Sequence, residues 1–281
     1  MDDPTGGRHY FADRELARRL EGAEAAANTE FVDAHARVDP ASGATWTQVA
    51  GARAMYDGPG SPVTQTFGLG LFDDVGDAEM DALEAFFGER GAEVFHEVSP
   101  MAAPEIVALL NRRRYQPFEL TSVLYRPIAP GVAVEGLRGE RIRVRRMEPG
   151  EEDAWAATAA GGWSDVAPEH TGFMTALGRI NAARRDTRCF FAELDGRAVA
   201  TGSLNVHDGV ALLAGASTLP GARGHGAQLA LLEARLRDAV ESGCDLASMG
   251  ALPGSTCQRN AERQGFRIAY TRMKWQRAPT A

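Results

Sequence analysis

The stretch from Ala216 to Leu232 limits the folds open to this chain more than any other. It reads A-S-T-L-P-G-A-R-G-H-G-A-Q-L-A-L-L, so a strand-like apolar run ends at Pro220 and a helical pattern begins after a short glycine- and arginine-containing turn. Backbone N–H groups in such a turn lack partners, and the helix dipole adds positive charge there. The turn predicts a phosphate or pyrophosphate site, although a short glycine motif alone is more often structural.

Composition places the chain among ordinary globular proteins. Its 281 residues favour two domains, and its net charge of -8 disfavours nucleic acid as a partner. Acidic residues predominate in the first half, so the half with the turn repels a polyanion least. No apolar run reaches the ~18 residues of a membrane span, and the N-terminus lacks an apolar signal region, so we expect a cytoplasmic protein without membrane partners.

Three cysteines, Cys189, Cys244 and Cys257, show no C-x-x-C spacing. This odd number without paired spacing argues against a disulfide framework and against a zinc site. We interpret all three as small apolar fillers, and we predict no metal site.

Hydrophobic periodicity divides the first half into alternating elements that end at a Pro/Gly cluster, residues 126–131, which we interpret as a linker. One or two helices are expected over residues 10–37. The predicted elements that follow are strands at 45–56, 63–72, 92–98 and 118–125 and helices at 77–90 and 103–114.

The second half repeats this alternation. Asp195-Gly196 and Asp208-Gly209 are hairpin signals that join three strands. The predicted elements are strands at 141–146, 188–194, 197–206, 210–219, 245–252 and 266–275 and helices at 151–160, 169–184 and 255–264. A further amphipathic helix is predicted after the turn, with apolar residues from Leu229 to Val240 and its end at Gly243. Both halves end in the order strand, turn, helix, strand, helix, strand, which suggests an internal duplication. Where the second half has its glycine-rich turn, the first has F-D-D-V-G-D-A-E, whose carboxylates would repel a phosphate.

The second half, from about residue 141 to 275, resembles a GCN5-related N-acetyltransferase (GNAT) domain. The resemblance rests on the family's pyrophosphate loop, R/Q-x-x-G-x-G/A, which is matched by residues 223–228, and on Gly265-Phe266 before the last strand. Gln228 stands where the family has a small residue. The whole chain resembles tandem members with one degenerate copy: residues 1–131 would be the degenerate domain and residues 132–281 the acyl-CoA-binding domain. The implied fold class is α/β (α+β), with two GNAT-like domains that each contain a mixed, mostly antiparallel sheet flanked by helices.

The resemblance also implies a cofactor, acetyl-CoA, and an amine acceptor that attacks the thioester directly. The residues expected to bind CoA are Ser217, Thr218, Leu219, Arg223, Gly224, His225, Gly226, Ala227, Gln228, Ser255 and Asn260. Helix capping is an equally good explanation of Ser255. We expect a small-molecule amine as the substrate and a monomer or homodimer as the assembly.

The catalytic residues are not identified by the resemblance. Many relatives have a tyrosine four residues before the Gly-Phe pair as the acid that protonates the thiolate, and here that position is Ala261. Tyr270 is a substitute candidate, although a strand tyrosine is more often a core residue. His96, beside Glu97, could face a cleft between the halves, but a lone strand histidine is more often structural.

The loop and helix that cover the acceptor in relatives correspond here to Trp163, Ser164, Asp165 and Glu169. For the two acidic residues, a solvated surface is the favoured interpretation.

Two functions from different classes remain open. The first is an acetyl-CoA-dependent N-acyltransferase that acts on a small amine. The second is a non-catalytic acyl-CoA-binding or regulatory module that kept the cofactor loop and lost the acid. A P-loop nucleotide enzyme is disfavoured because no G-K-[ST] follows the glycines.

Overall fold

The computed structural model describes residues 10–133 and 141–277. The helices are α1 (Arg14–Val38), α2 (Asp77–Gly88), α3 (Glu105–Arg112), α4 (Glu152–Gly161), α5 (Thr171–Ala182), α6 (Ala227–Glu241) and α7 (Thr256–Arg263). The strands are β1 (Thr45–Val49), β2 (Ala52–Tyr56), β3 (Gln65–Phe67), β4 (Phe95–Val98), β5 (Tyr115–Pro127), β6 (Ile142–Arg146), β7 (Thr187–Leu194), β8 (Arg197–His207), β9 (Val210–Thr218), β10 (Leu246–Ala251) and β11 (Arg267–Arg277). Among the described residues, no helix has the length and apolar character that a membrane crossing requires.

The chain folds into two compact units. We call residues 126–249 the central unit, and residues 10–125 with 250–277 the flanking unit, after their order in the chain. Residues 250–277 group with the first half, so the compact units do not follow the chain as two contiguous halves. The domain boundary that the sequence predicts between residues 131 and 132 stays a prediction.

Each unit contains its own mostly antiparallel run of strands. The order in the flanking unit is β1-β2-β3-β4-β11-β5, and in the central unit it is β10-β9-β8-β7-β6. Each run contains one parallel pair, β3 with β4 and β9 with β10. The predicted mixed α/β class is therefore confirmed.

The flanking unit is built on a long helix and a compact core. Asp13 caps α1 by accepting a hydrogen bond from the N–H of Leu16 at 2.9 Å, and buried alanines allow the helix to lie close to β2 and β3. A core of apolar side chains lies between α2, α3 and the strands, with Met80, Leu83 and Phe87 fully buried.

Two strand predictions in this unit are wrong. Residues 45–56 form a hairpin, not one strand, because Ala50 and Gly51 both adopt positive φ, at 46° and 73°. Residues 63–72 contain a strand only at β3, because Gly68 and Gly70 turn the chain out of the extended conformation with φ of 82° and 67°. The alternation in both segments resembled a longer strand, and Ala50 is an uncommon turn residue.

The central unit follows its predicted order closely. Both expected hairpins form, with positive φ at Asp195, Gly196, Asp208 and Gly209. Trp155 of α4 is buried against Cys189 and Phe191 of β7, and its indole N–H donates to the Phe190 carbonyl at 3.1 Å. This contact fixes α4 on the sheet beside the end of β9.

Candidate acyl-CoA site

The candidate site is centred on the turn at residues 223–228, which we call the Gly-Arg turn. After β9, a 3-10 turn at Pro220–Ala222 leads into it, and Gly224 and Gly226 have φ of 82° and 81°. A side chain at either position would adopt a strained backbone conformation. Two glycines are therefore required by the path of the chain, as well as by any ligand that approaches it.

Helix α6 begins at Ala227, directly after this turn, and no side chain caps its N-terminus. The first N–H groups of a helix have no intrahelical acceptor, and the helix dipole is positive at this end. No atom lies within 4 Å of the place where a Cβ of Gly224 would stand. The turn is thus an open cradle of N–H donors that suits an anion such as a pyrophosphate.

Arg223 at the edge of this cradle is already paired. Its guanidinium donates to both carboxylate oxygens of Asp165, at 2.6 and 2.9 Å, and to the Gly162 carbonyl at 2.9 Å. The hydrogen bonds from Arg223 lower the pKa of Asp165. Asp165 is exposed to solvent, as the sequence-based interpretation expected, but the α4–α5 loop also brings it into an ion pair with Arg223 of the turn.

His225 and Gln228 shape the turn from within. The imidazole Nδ1 of His225 lies 3.0 Å from the Arg223 carbonyl oxygen, so this nitrogen carries the proton and donates. Gln228 donates through Nε2 to the Ser217 carbonyl at 2.9 Å and to Thr218 Oγ1 at 2.7 Å. The amide that replaces the family's small residue therefore bonds to the end of β9.

Strands β9 and β10 separate beside the turn. Their parallel pairing covers only Val210 to Leu212 of β9, and the rest of that strand has no partner on this side among the described residues of the central unit. A bulge then places both Gly215 and Ala216 opposite Gly202 of β8, and both bulge residues are exposed. The backbone here is an accessible strand edge, of the kind that pairs with an extended amide-containing ligand.

The bulge depends on a glycine that sequence reasoning missed. Gly215 has φ of 58°, and a Cβ there would stand 2.9 Å from the Ser203 hydroxyl oxygen. An isolated glycine inside a strand pattern is the signal that could have identified it.

The predicted contacts at Ser217, Thr218 and Leu219 lie next to this open edge. The Ser217 side chain is buried and donates to the Ala159 carbonyl at 2.9 Å, and the Leu219 N–H donates to the Val199 carbonyl. The last turn of α4 lies very close, since a Cβ on Gly162 would be 2.6 Å from the Ser217 Cβ. The exposed backbone is two residues earlier than expected, and CoA contacts at these three residues stay predictions.

Two other predicted residues, Ser255 and Asn260, lie in the flanking unit, as does Ala261. Ser255 is the N-cap of α7 and accepts from the N–H of Gln258 at 3.2 Å, which matches the capping explanation. Asn260 is exposed and accepts from Arg263 at 3.1 Å. Ala261, at the family's tyrosine position, is buried in the same helix. Roles of Ser255 and Asn260 in CoA binding stay predictions.

Tyr270, the candidate acid, is buried in the flanking unit. Its hydroxyl donates to Glu21 at 2.9 Å, and burial raises its pKa well above the ordinary value. A tyrosine with this pKa holds its proton tightly, so a thiolate would gain it only at a strong energetic cost. Its catalytic role stays a prediction.

The burial of His96 and of the three cysteines tests their sequence-based interpretations. His96 is fully buried, burial lowers its pKa to about 3, and its Nε2 lies 3.1 Å from the Tyr115 hydroxyl, which fits the structural interpretation. Cys257 is exposed on α7, so its interpretation as an apolar filler is wrong, whereas Cys189 and Cys244 are buried as expected.

The acidic segment of the first half, which the sequence analysis compared with the Gly-Arg turn, caps its own helix with a carboxylate. The N–H of Gly76, the N-cap of α2, donates to the side chain of Glu79 at 2.9 Å. This carboxylate occupies the position that an anionic ligand would need, which agrees with the expected repulsion of phosphate.

Comparison with known proteins bears on this geometry. Residues 142–256 match the family model of the acetyltransferase (GNAT) domain. No protein of curated function matches the sequence.

Solved structures extend the likeness beyond that segment. A GCN5-related N-acetyltransferase from Kribbella flavida is 17% identical and has a TM-score of 0.66, over 94% of this chain and 96% of its own. A tandem GNAT protein from the clavulanic acid biosynthesis pathway is 14% identical, with a TM-score of 0.57 over 82% of this chain and 79% of its own. A GCN5-related N-acetyltransferase from Sphaerobacter thermophilus is 16% identical, with a TM-score of 0.52 over 77% of this chain and 73% of its own.

At these identities the structural likeness establishes the fold, and the family model identifies the segment that contains the Gly-Arg turn. The match of the N-terminal half to a degenerate copy stays a prediction. Residues 142–256 are thus similar to the acetyltransferase (GNAT) domain, and the chain shares its fold with GCN5-related N-acetyltransferases.

Proposed function

We propose that the protein is an acetyl-CoA-dependent N-acyltransferase that acts on the amine of a small molecule. The observation that carries this proposal is the Gly-Arg turn: two glycines at positive φ lead into an uncapped helix, beside an open strand edge at Gly215 and Ala216. Donors for a pyrophosphate and a backbone edge for a pantetheine arm are the two features that CoA binding needs.

The residues present fit an acyl-CoA. The N–H groups of Gly224 to Gln228 would hold the pyrophosphate, and the backbone at Gly215 and Ala216 would pair with the pantetheine amides. Bound acyl-CoA supplies an activated thioester, so the chain needs to bind the amine, orient it and accept its proton. Arg223 would contribute positive charge to the pyrophosphate once its pair with Asp165 is shared or broken.

The second candidate is a non-catalytic module that binds acyl-CoA. Ala261 favours it, because no acid stands at the family's usual place, and the buried Tyr270 is a poor proton donor. Both candidates require the same cradle, so CoA binding alone does not separate them.

A single pair of assays separates the two. The protein is titrated with CoA by calorimetry, and thiol release from acetyl-CoA is then followed with a panel of primary amines. Saturable CoA binding with amine-dependent thiol release supports the enzyme. Binding without turnover on any amine supports the module, and the absence of CoA binding contradicts both.

A charge-reversed variant serves as the control. Arg223→Glu should weaken CoA binding by about 1 to 3 kcal/mol, the range of a lost charge-assisted contact. Arg179→Glu is the matched variant, because Arg179 lies in the same unit and pairs with the exposed Asp153 at 2.6 Å. If the two variants bound CoA with equal affinity, Arg223 would not be part of the proposed site.

A further inference from the structure

The flanking unit contains a cavity of about 320 Å³ whose lining residues lie outside the Gly-Arg turn and the open strand edge. It lies among α1, β3, β4, β5 and β11 and the chain at residues 250–252. Its polar lining includes Glu24, Asn28, Gln65, Glu97, Glu119 and Arg272. This volume is sufficient for a small organic molecule of about ten non-hydrogen atoms.

The positive charge of this lining is neutralised by carboxylates. Buried Arg272 donates to Glu97 at 2.9 Å, to both oxygens of Glu24 at 2.7 and 3.0 Å, and to Glu21 at 3.1 Å. Its guanidinium also lies over the ring of Phe67, 4.8 Å from the centroid. A guanidinium that is engaged on three carboxylates is not available to bind an anion in the cavity.

After these ion pairs are counted, the cavity still has more carboxylates than cations. Lys274 lies 3.4 Å from the second oxygen of Glu97 and neutralises part of its charge. Glu119 is exposed on β5, and it makes no ion pair within the residues that the structure describes. The open part of the lining therefore presents a carboxylate, Glu119, that has no ion-pair partner among the described residues.

A second, independent feature is the amide of Gln65 on β3. Gln65 is only 7% exposed, and its Oε1 has no hydrogen-bond partner among the described residues. A buried carbonyl oxygen without a donor costs about 1 to 3 kcal/mol, so a ligand that brings an N–H group would recover this energy. Both Gln65 and Glu119 line the same cavity, and each has a side-chain oxygen that accepts hydrogen bonds.

We propose that this cavity binds a small organic cation with primary ammonium or guanidinium groups, which donates to Gln65 and is attracted by Glu119. A carboxylate, an unsatisfied amide oxygen and an engaged arginine together select a cationic donor and reject anions. The cation site does not require the proposed CoA site, since none of its residues belongs to the Gly-Arg turn, and its binding is measurable without CoA.

Calorimetric titration of the full chain with putrescine, agmatine and spermidine tests the proposal, in buffer without CoA. Two molecules of similar length, 1,4-butanediol and succinate, serve as neutral and anionic controls. At least one cation is expected to bind saturably, and both controls are expected to show no saturable heat. Succinate or the diol binding as tightly as the cations, or no cation binding at all, would overturn the proposal.

Three variants locate the binding. Glu119→Gln and Gln65→Leu are each expected to weaken the best cation by at least about fivefold, the equivalent of one hydrogen bond. Glu89→Gln, an exposed glutamate of the same unit at the end of α2, is expected to change it by less than about twofold. If Gln65→Leu fails to fold, Glu119→Gln alone tests the proposed site, because the Glu119 side chain is exposed. Unchanged binding in Glu119→Gln contradicts the proposed site, whereas Arg223→Glu should leave cation binding intact.

Discussion

Arg223 of the Gly-Arg turn and Asp165 of the α4–α5 loop form a two-pronged ion pair, with nitrogen–oxygen distances of 2.6 and 2.9 Å. Both side chains are nearly half exposed, so water and salt screen the pair. In the proposed CoA site, the Asp165 carboxylate would therefore compete with a phosphate for the guanidinium.

The first prediction concerns a variant without the Asp165 carboxylate. Asp165→Asn should tighten CoA binding by about two- to fivefold, because an exposed ion pair is worth at most about 1 kcal/mol. Calorimetry at low and moderate salt measures the effect, which should shrink as salt rises. Asp153→Asn removes a comparable exposed carboxylate from the same unit and should leave CoA affinity unchanged. Weaker CoA binding in Asp165→Asn would mean that the pair positions Arg223 instead of competing for it.

A second prediction concerns the backbone of the turn. Gly226→Val should reduce CoA affinity by tenfold or more, because a β-branched residue resists the φ of 81° and its side chain obstructs the N–H cradle. A loss of folding stability of about 1 to 2 kcal/mol should accompany it. Gly221→Ala is the control, since no atom lies within 4 Å of its Cβ position, and it should bind CoA normally. Normal binding by Gly226→Val would argue against pyrophosphate at this turn.

The third prediction addresses the contact between α4 and β9. Gly162→Ala places a methyl group 2.6 Å from the Ser217 Cβ and 3.0 Å from the Thr218 nitrogen, so the last turn of α4 must move away. We expect a loss of about 1 to 3 kcal/mol in the free energy of unfolding, measured by urea denaturation. Gly172→Ala in α5 meets no atom within 4 Å and should be neutral or slightly stabilising. Equal stability of the two variants would show that the helix end tolerates displacement.

The fourth prediction is a pH dependence. Burial raises the pKa of Glu21 from 4.5 to about 7, with Arg272 acting in the opposite direction. A carboxyl whose pKa is raised in the folded state contributes stability that is complete below pH 4.5 and is lost as pH rises through 7.

Glu21→Gln keeps a neutral side chain at all pH values, so it should flatten this part of the profile. Between pH 4.5 and 7 the wild type should lose up to about 3 kcal/mol relative to the variant. Urea denaturation of both proteins at several pH values measures the difference. A constant gap between them across that range would show that Glu21 titrates near its ordinary pKa.

Local sequence signals predicted the central unit well. Asp-Gly pairs specify tight hairpins through backbone preference alone, and the strand–turn–helix pattern around Arg223 was enough to identify the cradle. Each of these features depends on residues that are close in the chain.

The features that escaped prediction depend on distant partners. Asp165 looked like a surface carboxylate because nothing near it in sequence indicates Arg223. The acidic and basic groups around Arg272 come from α1, β4 and β11, and only the fold brings them together. The hairpin at Ala50 was missed for another reason, since a non-glycine residue at positive φ is tolerated there by its surroundings.

The placement of β11 has a consequence for how the chain acquires its structure. In the flanking unit, β11 lies between β4 and β5 and pairs with both in antiparallel fashion. It is nevertheless the last strand in chain order, after the whole central unit. During synthesis, therefore, β4 and β5 emerge long before the strand that separates them, and their edges remain unpaired meanwhile. The strands of the central unit are all synthesised before β11, so the central unit can complete its pairing first. The flanking unit is exposed to aggregation or chaperone capture until β11 has been synthesised.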